Sequence, residues 1–162
     1  GITSTDVRKG RHTDVQWLRS RGWRPGRRAL RMTRSQNAGR FFDIMTPTKT
    51  QVHGNNASVS REALLEVNGF EGRMGYGGLD KALGYRLENL GVKGVQARHR
   101  AVTMHLHHDR PYRQPDVIRL NREMMSEIRR EGETRAREGI AELGPDATLR
   151  VNGVPVYQET SE

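Results

Sequence analysis

The sequence predicts an α/β domain with short helices, a few strands and a long helix near the C-terminus. Apolar residues recur at helical spacing in three segments, 61–67, 79–90 and 115–131. Apolar and polar residues alternate over 102–107, which predicts a half-buried strand. An Asn-Gly pair at 152–153 between apolar residues predicts a hairpin. The 162 residues are enough for one domain.

Capping residues predict where the helices begin and end. Ser60 is a good N-cap for the first of the three helices, and Asn68 with Gly69 ends it. The second helix begins after a glycine-rich loop, so Asp80 lies in its first turn. Pro115 opens the third helix. Four segments result: a basic Arg/Trp-rich segment (1–50), a candidate catalytic region (51–110), a helical region (111–143) and a hairpin-like tail (144–162).

The amino-acid composition limits the classes of partner and site that the chain can have. Lys and Arg number 28 and Asp and Glu 19, a formal charge of +9 that favours nucleotide diphosphates, acidic lipid or nucleic acid. The absence of cysteine excludes disulfides and thiolate metal sites. No apolar run approaches the ~20 residues of a membrane span. The sequence therefore predicts a cytoplasmic protein, or one peripheral to the inner face of a membrane.

Residues 15–42 contain no acidic side chain, and their arginines surround Trp17 and Trp23. One interpretation is a solvated surface that keeps the protein soluble. The other is an anion-binding face, since arginine suits phosphate oxygens and tryptophan suits a membrane interface.

Asp80 is the candidate general base. Gly77 and Gly78 allow the backbone to come close to a ligand, Tyr76 offers a face on which a sugar could stack, and the helix N-terminus favours an ionised carboxylate. The alternative is that Asp80 only caps its helix.

Histidines are the candidate metal ligands. His105 and His107 share the polar face of the predicted strand, and His108 and Asp109 follow directly. The pair suits a divalent metal or a diphosphate, while the alternative is a structural hydrogen-bonding role.

Three segments follow one another along the chain: His53 to Phe70, the run Gly75-Tyr76-Gly77-Gly78-Leu79-Asp80, and the cluster at 104–108. Their order resembles that of inverting family 2 glycosyltransferases and the related C-terminal domain of galactosyltransferases. The resemblance covers Gln51 to about Ile140. It implies a C-terminal, acceptor-side part of a GT-A (Rossmann-like) fold. Such enzymes carry Gly-aromatic-Gly-x-Glu-Asp, whose Asp is the presumed base. This chain has Leu79 at the Glu position and Tyr76 where Trp is usual.

By the same resemblance, Tyr76, Gly77 and Gly78 contact the acceptor, His105 and His107 contact the donor diphosphate, and His105 completes a Mn²⁺ or Mg²⁺ site. The partners implied are a nucleotide-sugar donor and a glycan or glycolipid acceptor. The Asp-x-Asp motif that binds the metal in these enzymes is absent from the sequence. The isolated chain is therefore expected to be inactive.

Other hypotheses remain open. In one, the chain is a non-enzymatic basic module that binds an anionic polymer or an acidic membrane surface, with nucleic acid less favoured. In another, it is a small metal-binding domain centred on the histidines. An uncovered apolar face would also favour a homo-oligomer.

Overall fold

The structure is a computed structural model that describes residues 2–24, 26, 29, 31–32, 35–46, 48–103, 114–144, 150–151 and 154–155. Its helices are α1 (Ser4–Arg8), α2 (Val15–Ser20), α3 (Gln36–Met45), α4 (Arg61–Glu66), α5 (Leu79–Asn89) and α6 (Pro115–Glu131). Short 3₁₀ turns lie at Arg11–Thr13 and Ile140–Glu142, and two strands follow, β1 (Arg150–Val151) and β2 (Val154–Pro155).

The prediction of an α/β, Rossmann-like fold is wrong, because the described part of the chain is helical. The β structure within it is the antiparallel pair of β1 and β2, two residues each, which is too short to be the sheet of a GT-A domain. Val102 and Thr103, where a longer strand was predicted, are irregular, and residues 104–107 lie outside the described residues. The alternation of apolar and polar residues shows which side chains of a strand would be buried. It does not show which second strand would form hydrogen bonds with its backbone.

The chain divides into two compact units. The first unit comprises Gly1–Ser58 and Lys93–Pro111, and the second comprises Val59–Val92 and Tyr112–Glu162. No helix in the described ranges combines the length and the apolar content that crossing a bilayer requires.

Helix α3 of the first unit is held by a buried carboxylate. Asp43 Oδ1 accepts hydrogen bonds from the backbone N–H of His99 and pairs with its Nδ1, both at 2.9 Å, and Oδ2 accepts from Arg100 Nε at 2.8 Å. A Cβ on Gly39, one turn earlier, would lie 3.0 Å from the His99 carbonyl oxygen. Burial opposes ionisation of Asp43, but the bonds from Arg100 and His99 prevail and lower its pKa to about 2.

The second unit begins with α4, which the Ser60 side chain caps by accepting from the Ala63 N–H at 3.2 Å. Asn68 ends this helix region with φ 64°, a left-handed conformation that asparagine tolerates. Its side chain also joins a distant segment, since Oδ1 accepts from the Ala141 N–H and Nδ2 donates to the Ala136 carbonyl. Asn68 therefore fastens residues 136–141 to the end of α4.

Packing of α5 on α6 forms the apolar core of the second unit. Met74, Ala82 and Ile128 are buried at its centre, and four partly buried apolar side chains surround them: Leu79, Tyr85, Met124 and Met125. The predicted helix over 79–90 is present as α5, and the predicted helix from Pro115 is present as α6, ending at Gly132 with φ 68°.

Candidate functional site

Asp80 is the second residue of α5, in the first turn, as predicted. Its side chain is partly exposed, and Oδ1 accepts the Lys81 N–H at 2.9 Å. Gly78 precedes the helix at φ 104°. The positive end of the helix dipole favours a negative charge at this position. The structure therefore presents a partly solvated carboxylate at the start of α5.

The loop before α5 comprises residues 71–78, and its glycines accommodate helix α6. A Cβ on Gly75 would lie 2.7 Å from Val117, and one on Gly78 would lie 2.9 Å from Met125. Gly77 and Gly78 also have φ near 105°, which side chains rarely allow. The predicted reason for these glycines was the approach of a ligand, whereas in the structure they permit close packing of the loop on a helix.

The side chain of Asn121 in α6 forms hydrogen bonds to the backbone of this loop. It is 1% exposed, and its side-chain NH₂ lies 3.1 Å from the carbonyl oxygen of Gly75, 3.3 Å from that of Tyr76 and 2.8 Å from that of Gly77. The amide satisfies carbonyls that a loop turned towards a helix would otherwise leave unpaired. Sequence analysis missed this residue, because an asparagine within a charged helix resembles a surface position.

The start of the loop is fixed by Glu71, which is 1% exposed. Its carboxylate accepts from Arg73 Nε at 2.8 Å and from Arg86 Nη2 at 2.7 Å. The backbone N–H groups of Arg137 and Glu138 each donate to it at 3.2 Å. Burial opposes ionisation, but the bond from Arg73 and the two backbone donors lower the pKa of Glu71 to about 2.

Arg86 of α5 is fully buried beside Glu71. Burial lowers its pKa, and the negative charges of Glu71 and Glu133 partly offset that effect. Its Nε and Nη1 make no hydrogen bond within the described chain. The Glu71–Arg86 pair joins the first residue of the loop to α5 less than two turns beyond Asp80. The sequence predicted a helix over 79–90, which contains Arg86, but indicated no role for Glu71.

The buried carboxylates of Asp43 and Glu71 should make the stability of the protein depend on pH. The pKa values of Asp43 and Glu71 are lowered from 3.8 and 4.5 to about 2. The ionised carboxylates therefore stabilise the folded protein at pH values above their pKa values in the unfolded chain. This stabilisation is lost as the pH falls towards 2. The contributions at neutral pH are about 2 kcal/mol for Asp43 and about 3 kcal/mol for Glu71. We expect urea unfolding to show stability dropping between pH about 5 and about 2, and a flat profile would contradict this.

Tyr76, the predicted sugar-stacking residue, is 41% exposed, so its ring is accessible. An open depression of about 410 Å³ lies between α5 and α6 and is lined by Tyr85, Arg122, Met125, Ser126 and Arg129. The Arg129 guanidinium lies 4.9 Å from the centre of the Tyr85 ring. Neither Asp80 nor Tyr76 lines this depression.

The predicted donor and metal residues His105 and His107 lie outside the described residues. In the described ranges, carboxylate oxygens of Glu127, Glu131 and Glu133 lie within 4.8 Å of one another. Arg137 pairs with all three, at 3.3 Å from Glu127 and 3.8 Å from Glu131 and in a closer contact with Glu133. A guanidinium already balances this triad, so it does not fit a Mn²⁺ or Mg²⁺ site.

The structure thus brings Asp80, Tyr76, Gly77 and Gly78 together on one loop and helix start, which Glu71 and Asn121 hold in place. Comparison with protein-family models, curated proteins and solved structures found no match to this chain.

Proposed function

We propose that this chain is the acceptor-side part of an inverting glycosyltransferase, with Asp80 as the catalytic base. The observation that carries the proposal is the position of Asp80. It is a partly exposed carboxylate at a helix start, and the loop before it is fixed through Glu71 and Asn121. A base must be held in a fixed direction to accept a proton during displacement, and this anchoring supplies such rigidity.

In the proposed reaction, Asp80 accepts the proton of an acceptor hydroxyl as its oxygen attacks the anomeric carbon of the donor sugar. The new carbon–oxygen bond forms as the bond to the nucleoside diphosphate breaks. The diphosphate leaves with the electron pair, and the configuration at the anomeric carbon is inverted.

We assign acceptor contact to the loop surface, where Tyr76 would stack on a sugar ring of a glycan or glycolipid and the backbone of Gly77 and Gly78 would border it. Leu79 packs against the apolar core formed with Met74 and Ala82. It anchors the start of α5 and cannot replace a hydrogen-bonding glutamate. The acceptor hydroxyls must therefore be recognised by other groups.

We place the nucleotide-sugar donor largely on protein outside these 162 residues. The described helices provide no nucleotide-binding sheet, and the sequence has no Asp-x-Asp motif. His105, with His107 second, is the contribution that this chain would make to donor binding, and His105 would be its ligand to a divalent metal. A cytoplasmic location, where nucleotide sugars are available, suits this function.

Sugar transfer from a panel of nucleotide sugars tests the proposal. We expect no transfer by the 162-residue chain alone, because it lacks the paired aspartates of a donor site. We expect metal-dependent transfer by the protein translated from the reading frame extended upstream of Gly1. Transfer by the chain alone would place the donor site within it. No transfer by the longer protein from any donor would overturn the proposed function.

A further inference from the structure

Helix α3 of the first unit turns its acidic residue inwards and its apolar residues outwards. Asp43 is 8% exposed, whereas Phe41 is 58%, Ile44 68% and Met45 61% exposed. Positions 41, 44 and 45 lie side by side on a helix, so these three residues form one stripe, the outer stripe of α3. An amphipathic helix normally buries its apolar face, and an uncovered one marks an interaction surface.

The orientation of α3 is fixed by contacts on its other side. Asp43 is bonded to His99 and Arg100, and Gly39 packs on the same turn of chain. Rotating the helix to bury the outer stripe would break these bonds and leave a carboxylate without its partners, at a large energetic cost. The outer stripe is therefore a stable feature of the first unit.

Charge distinguishes the two units. The first unit contains 16 Lys and Arg against 4 Asp and Glu, a formal charge of +12, while the second contains 12 against 15, a charge of −3. The first unit thus carries all of the excess positive charge. On α3 itself, Arg40 is exposed and lies one turn before Ile44, so a cation borders the outer stripe.

We propose that the outer stripe of α3 docks on an anionic lipid surface, with Phe41, Ile44 and Met45 entering the boundary between headgroups and acyl chains. An apolar stripe beside cationic side chains matches that boundary in both polarity and charge. A nucleic acid offers the negative charge but no apolar phase for the stripe. A second copy offers the apolar surface but would bring another first unit, with its charge of +12, against the first.

Co-sedimentation with phosphatidylcholine vesicles, with and without phosphatidylglycerol, tests this docking. We expect binding to the vesicles that contain phosphatidylglycerol and weakening of that binding by salt. The double variant Ile44→Ser/Met45→Ser should lower the partition coefficient roughly tenfold or more. Arg40→Gln should lower it by about fivefold. All positions are exposed, so circular dichroism should show unchanged helix content.

Leu143→Ser provides the matched control, because Leu143 is 62% exposed and lies in the second unit. It should bind like the unaltered protein. Three results would overturn the docking: no binding to either vesicle, binding that the double variant leaves unchanged, or a mass in solution showing dimers that Ile44→Ser/Met45→Ser dissociates. The last result would assign the outer stripe to a second copy. None of these outcomes depends on sugar transfer, so the docking and the proposed function can fail separately.

Discussion

Replacing Asp80 with asparagine is expected to lower the turnover of sugar transfer by about 10²–10⁴-fold, the range that general-base catalysis contributes. The amide cannot accept the acceptor proton, yet it keeps the size of the side chain and an oxygen that can accept the Lys81 N–H. Donor affinity should therefore change little. The measurement is steady-state transfer by the protein extended upstream of Gly1, with donor binding followed by calorimetry.

Asp116→Asn is the matched control for this variant. Asp116 also lies in the first turn of a helix and is exposed, but it belongs to α6 and is part of neither the 71–78 loop nor α5. Its replacement tests the general effect of removing a carboxylate near a helix N-terminus, and turnover should stay within about twofold. Unchanged turnover in Asp80→Asn would remove Asp80 as the base. Equal losses in both variants would indicate an effect on helix stability.

Glu71→Gln is expected to destabilise the protein by about 3–5 kcal/mol, the cost of breaking a buried ion pair by removing one partner. Arg86 is fully buried and lies 2.7 Å from the Glu71 carboxylate. The neutral amide would leave this guanidinium without its closest compensating charge. Urea unfolding at neutral pH measures the loss, and the midpoint should fall with little change in the slope.

Two further variants distinguish the effect of breaking a buried ion pair from the effect of removing a charge elsewhere. Glu123→Gln breaks the Arg119–Glu123 pair, whose side chains are 62% and 61% exposed, and should cost no more than about 0.5 kcal/mol. The double variant Glu71→Leu/Arg86→Met removes both buried charges and should recover part of the lost stability. Similar losses in Glu71→Gln and Glu123→Gln would contradict the role of burial.

Helices α4, α5 and α6 were predictable because their signals are local. Ser60 and Asn68 predicted the ends of α4, Pro115 the start of α6, and the apolar spacing over 79–90 predicted α5. The same locality placed Asp80 in the first turn of α5. The roles of Asp80 and Tyr76 in sugar transfer stay predictions, because the position of a side chain does not define the reaction.

The features that the sequence did not predict depend on contacts between residues far apart in the chain. Glu71 and Arg86 were not recognised as a pair, since charged residues on helices usually face solvent and burial is decided by what packs above them. Asn121 meets the loop across 44 residues or more, a distance at which no periodicity operates. The sheet was predicted wrongly for the same reason: a strand requires a partner that alternation cannot identify.

The interleaving of the two units has a consequence for how the protein is made. The chain passes from one unit to the other after Ser58, Val92 and Pro111. The bond between Asp43 and His99 spans 56 residues, and all of α4 and α5 lie between them. At ~5–20 residues per second, a ribosome releases Asp43 roughly 3–11 s before His99. The contacts of Asp43 with His99 and Arg100 therefore form only after all of α4 and α5 have been synthesised, and until then α3 lacks the partners that orient it.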